Sequence, residues 1–103
     1  MDIPNRVEKL KIDHKVVMGA EDKKYRDLYL LIYLLRKKEF VTYYYNRETE
    51  TVSMGHYILT AASAIIDLID RADKGRGKDR ITIYSKTCNI HLLEVAGVSH
   101  LCR

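Results

Sequence analysis

Apolar residues in the first half of the chain recur with period two, and those in the second half gather on one helical stripe. Residues 6–18 alternate loosely through Val7, Leu10 and Ile12 to Val16 and Val17, which predicts a strand over 8–13. Residues 19–24 (Gly-Ala-Glu-Asp-Lys-Lys) read as a polar connection. Residues 26–35 carry two readings. In a strand, Leu28, Leu30, Ile32 and Leu34 line one face and Tyr29, Leu31, Tyr33 and Leu35 the other. The leucine-rich composition also suits a helix over 21–38. The alternation favours the strand, and so short a run leaves the helix open. Arg36-Lys37-Lys38-Glu39 follows as a turn, and residues 40–45, aromatic and β-branched, complete a hairpin.

Asn46-Arg47-Glu48-Thr49-Glu50 predicts a second turn and residues 51–54 a short third strand. The best helical pattern spans 56–73. Ile58, Ala62, Ile65, Ile69 and Ala72 fall at three-and-four spacing, with Asp67, Asp70, Arg71 and Asp73 away from them and Gly75 as the stop. Residues 80–84 predict a strand. Thr87 or Asn89 then caps a short helix over 89–96, ended by Gly97. The fold class is α+β, a mixed sheet with helices packed on it, in a single domain over 1–103 with no repeat or linker.

Composition narrows the function classes. With 47% hydrophobic and 31% charged residues the chain folds, where a disordered chain would lack the apolar content. The longest apolar run, residues 28–35, is far shorter than the roughly twenty residues of a membrane span. Met1-Asp2-Ile3-Pro4 lacks the basic-then-apolar pattern of a secretion signal, and two cysteines make no disulfide framework, so a cytoplasmic, reducing setting is expected.

The order of elements resembles a ribonuclease H-like fold over residues 10–97. In that family a first strand carries a catalytic aspartate, and Lys9-Leu10-Lys11-Ile12-Asp13 is similar. A hairpin and third strand follow, as at 26–54. A long helix with a glutamate in its first turn comes next, then a strand ending in an aspartate-serine pair, where residues 80–87 and 89–93 have the same cadence. The resemblance implies a nuclease layout whose acids are mostly missing. Asp13 alone stands at an acidic position, His56 or its neighbours occupy the helix start, and Ser85 or Lys86 the strand end. Two-metal cleavage needs several carboxylates around ions about 4 Å apart. What survives as an enzyme reading is a residual metal-dependent nuclease using Asp13, with His56 as an acid–base partner. If 21–38 is helical, the order becomes a ferredoxin-like βαββαβ sandwich. A third resemblance, to a trimmed GNAT-type acetyltransferase, rests on residues 48–55 before a helix. Only Gly55 remains there of the phosphate-cradling turn.

Three further constellations carry chemistry. Cys88, His91, His100 and Cys102 are thiolate and imidazole ligands, enough to close a tetrahedral zinc site. Their spacing matches no common zinc motif, and surface histidines with a half-buried cysteine are the commoner meaning. No cofactor is therefore expected, with zinc as the one candidate this cluster offers. Lys74, Arg76, Lys78 and Arg80, flanked by Arg71 and Lys86, form the densest basic stretch, diluted by Asp70, Asp73 and Asp79. It suits either a phosphate backbone or a solvated loop. Tyr43, Tyr44 and Tyr45 alternate across a strand and, with Tyr25, Tyr29 and Tyr33, form either a tyrosine-faced surface or a sheet covering.

The expected function is a non-catalytic binding module for a protein or nucleoprotein partner. One form is a small inhibitor or adaptor of a nucleic-acid machine, of the virus-encoded anti-defence type. The binding residues are expected to be Tyr43–Tyr45 and the 74–80 loop. Alternatives are the Asp13 nuclease and nucleic-acid binding without chemistry. Unpaired sheet edges also allow a homodimer.

Overall fold

The computed structural model describes residues 3–74 and 80–85. Four strands form a continuous meander: β1 (His14–Asp22), β2 (Leu28–Leu34), β3 (Glu39–Asn46) and β4 (Thr51–Ile58). Helix α1 (Ala61–Asp73) follows, and β5 (Ile81–Ser85) returns to the sheet beside β1. The sheet order is β4-β3-β2-β1-β5 with every pair antiparallel, so the domain is α+β. No helix among the described residues is long and apolar enough to cross a membrane.

The turns follow from local chemistry. Asp22 Oδ1 accepts hydrogen bonds from the N–H groups of Lys24 and Tyr25 at 2.7 and 3.0 Å, and Asn46 Oδ1 accepts from those of Glu48 and Thr49. Lys38 closes the middle hairpin in a left-handed conformation, its N–H donating to the Leu34 carbonyl at 2.8 Å.

Strand β2 is apolar along its length because both of its faces are buried. Tyr29 and Leu31 face α1, whose Ala64, Ile65, Leu68, Ile69 and Ala72 pack with Met18, Ala20, Ile81 and Ile83. Leu28, Leu30, Ile32 and Leu34 face the other way, with Val16, Val41 and Tyr43. Residues 3–12 cross this second face without regular structure and contribute Val7, Ile3 and Leu10 to it. Buried His14 anchors them. Its Nε2 accepts from the Val7 N–H at 3.0 Å, which leaves Nδ1 to donate to the Ile12 carbonyl at 2.6 Å.

Several boundaries differ from the sequence reading. The first strand begins at His14, not at residue 8, because Val7 and Leu10 are anchors of the covering segment and not alternate positions of a strand. Residues 19–22 belong to β1. Glu21 and Asp22 are buried there because cations from other segments meet them. The helical reading of 21–38 is not adopted; residues 28–34 are strand. The strand expected over 51–54 runs on to Ile58 as β4, and α1 starts at Ala61 behind Thr60, whose hydroxyl oxygen accepts from the Ser63 N–H. His56 is therefore a strand residue. The helix ends at Lys74, left-handed with φ 50°, before Gly75 is reached. The helix expected over 89–96 lies outside the described residues.

Candidate anion-binding surface

One end of the sheet gathers cations around an exposed ring. The β1–β2 turn carries Lys23, Lys24, Tyr25 and Arg26 in succession, and Arg26 takes a left-handed φ of 65°. The Lys23 N–H donates to the Arg80 carbonyl at 2.7 Å, tying that turn to the entry of β5. Tyr25 is 54% exposed. Lys24 Nζ lies 5.5 Å from its ring centroid and the Arg80 guanidinium carbon also 5.5 Å, so two cations lie over this ring. A second ring, the buried Tyr29, lies under Arg71 and Lys74 at 5.0 and 5.4 Å.

Carboxylates fix these cations in place. Glu21, 3% exposed, receives Arg26 Nε at 3.1 Å, Arg47 from the β3–β4 turn, and the Tyr84 hydroxyl at 2.8 Å. Burial alone would raise the Glu21 pKa. The hydrogen bonds from Tyr84 and Arg26 and the charges of Arg47 and Arg26 outweigh it and hold the carboxyl below its ordinary value. The Tyr84 hydroxyl is pushed up in turn by burial and by donation to Glu21. Asp22 lies 3.6 Å from Arg80, and Asp27 holds Lys74 at 3.1 Å. Lys74 is kept charged by its hydrogen bonds with Tyr29 and Asp27. The acids lie beneath, while Lys24, Tyr25 and much of Arg26 face solvent. Such a surface offers an anion both charge and a stacking ring.

Of the basic stretch expected to bind, Lys74 and Arg80 stand at this end; Arg76 and Lys78 lie outside the described residues. The tyrosine triplet alternates as expected but does not form an open surface. Tyr43 is 8% exposed, with its hydroxyl 3.3 Å from that of Tyr57, and burial pushes its ionisation up. Tyr44 meets Tyr29 edge-on at 5.6 Å on the helix side. Tyr45 is half-buried, and burial together with the Glu50 charge pushes its hydroxyl up. These rings cover the sheet. Tyr25, expected as part of a tyrosine-faced sheet surface, stands instead in the β1–β2 turn and is exposed there. Its signal was the run Lys23-Lys24-Tyr25-Arg26, a tyrosine among cations inside a polar turn.

Asp13 and His56 do not meet. Asp13 precedes β1 and pairs with Arg36 at 3.1 Å, in a shallow depression also lined by Lys11 and Ile12. His56 lies opposite Thr42 on the far edge of the sheet, and its Nδ1 is 3.1 Å from Asp67. The Thr42 hydroxyl donates to the same carboxylate, and Arg71 donates to the Thr42 carbonyl at 2.7 Å. Among the described residues no three His, Cys, Asp or Glu side chains group closely enough to hold a metal ion. Cys88, His91, His100 and Cys102 lie outside the described residues.

Comparison with family models, with curated proteins and with solved structures yields no match for this chain.

Proposed function

We propose that the protein is a non-catalytic binding module that engages the nucleic acid of a nucleoprotein partner through the basic end of its sheet. The carrying observation is Tyr25, exposed, with Lys24 and Arg80 each 5.5 Å from its ring and Arg26 beside it. Every nucleobase offers a stacking face, and each phosphate a charge for lysine or arginine. The buried carboxylates beneath hold Arg26 and Arg80 at fixed positions, which lowers the ordering cost of binding. The nuclease alternative has Asp13 alone in its support, and that carboxylate is engaged by Arg36.

Fluorescence anisotropy with labelled single-stranded and duplex DNA and RNA tests the reading. Affinity should fall steeply with salt. Tyr25→Ala should weaken single-strand binding by about 5- to 150-fold, in line with ~1–3 kcal/mol per stacked base. Lys24→Ala should lower the slope of log K against log salt by about one. A flat salt response, or a Tyr25→Ala protein that binds unchanged, refutes it.

A further inference from the structure

We infer that β4 is a homodimer interface, on which a second copy of this chain adds its own β4 antiparallel to the first. Among the described residues strand β4 forms one edge of the sheet, so half of its backbone N–H and C=O groups point away from β3 with no neighbouring described strand. Sheet edges are usually guarded by charge or proline. No Lys, Arg, Asp, Glu or Pro occurs between Glu50 and Asp67. Met54, Tyr57 and Leu59 are instead 64%, 58% and 79% exposed along this stretch.

Two features select a second copy as the occupant. The chain carries a net charge of +4, so two copies repel wherever their cations meet. The β4 edge lets them approach without that clash. The edge is also self-complementary under a twofold axis, the symmetry of most homodimers. Its register shifts between the Thr42–His56 and Tyr44–Ser53 pairs, so two residues, Met54 and Gly55, stand opposite Tyr43. That bulge reverses the alternation and places Val52 and Tyr57 on the face away from α1, and Ser53 and His56 on the face beneath it. An antiparallel pairing that sets Val52 opposite Tyr57 of the second copy therefore also sets Ser53 opposite His56. Each pair then shares a face, and the two bulges meet at the axis.

Sedimentation equilibrium of the full chain tests this independently of nucleic-acid binding. The wild type should run at twice the 12.0 kDa chain mass at micromolar concentration. Ser53→Lys, which puts a cation on the edge, should run as a monomer, with the dissociation constant raised at least tenfold and an unchanged circular dichroism spectrum. Ile66→Lys, on the exposed side of α1 away from β4, should remain dimeric. Tyr57→Lys is the second edge variant, should Ser53→Lys lose its folded spectrum. A wild type that stays monomeric to several hundred micromolar, or folded edge variants that stay dimeric, overturn the inference.

Discussion

Among the described residues the basic end and the β4 edge are two open surfaces of one sheet, built on opposite principles. At the basic end, charge is abundant and fixed: Glu21, Asp22 and Asp27 sit beneath Arg26, Arg47, Arg80 and Lys74. At the edge, charge is absent for the length of the strand and apolar side chains face water. Fixed charge suits a polyanion, which needs several cations at set spacing. An uncharged edge suits a strand, whose backbone supplies the contacts. A small domain can thus carry two surfaces that do not compete for the same ligand.

The largest effect is expected where charge is buried. Glu21→Gln leaves the Arg47 and Arg26 guanidinium groups facing a neutral amide under a nearly closed surface. The loss should be about 2–3 kcal/mol, below the ~3–5 of a fully enclosed pair because Arg26 is mostly exposed. Chemical denaturation measures it, and a variant as stable as the wild type would show that the cluster does not order this end. The same carboxyl sets an acid limb. Its folded pKa lies below the ordinary value of 4.5, so the contribution is complete above the unfolded pKa and is lost as pH falls through the folded one. Wild-type stability should therefore drop below about pH 4, and Glu21→Gln should show a shallower drop.

A smaller effect is expected at the edge. A Cβ on Gly55 would stand 2.7 Å from Tyr43 Cε1 and 3.2 Å from a Val41 methyl. Gly55→Ala must push the Tyr43 ring away, and that ring is buried and its hydroxyl reaches Tyr57. Overpacking of this kind costs about 1–3 kcal/mol. A thermal midpoint within a degree of the wild type would mean that the bulge yields freely.

The contrast between the two surfaces was only partly legible in the residues. Strand β2 was readable because alternation placed Leu28, Leu30, Ile32 and Leu34 together, and the structure keeps that set on one face. The bulges were not. Val17 in β1 and Met54 in β4 each add one residue and reverse the alternation beyond it, so period-two counting broke at both strands. That is why His56 and Ile58 looked helical. It is also why Gly19 to Asp22 looked like a connection: two carboxylates read as solvated until partners as distant in sequence as Arg47 and Arg80 are in view. The tyrosine triplet misled for a related reason. Its alternation was sound, but a helix on one face and residues 3–12 with Tyr57 on the other cover what alternation alone leaves outward.

The smallest effect is a gain, one residue from the loss at Gly55. Met54 adopts φ 53°, a left-handed conformation that costs a side-chain-bearing residue roughly 1 kcal/mol and glycine little. Its side chain is 64% exposed, so little burial offsets that strain in the single chain. Met54→Gly should therefore stabilise the protein by about 0.5–1 kcal/mol, a rise in midpoint of some 2–8 °C for a domain of this size. The measurement must be made on the monomeric Ser53→Lys background, because an exposed Met54 at a dimer axis would also lose contact with the second copy. Stabilisation in that background but a net loss in the wild type would show that the edge keeps a strained methionine for what it touches. A gain of equal size in both would leave the residue no role in pairing.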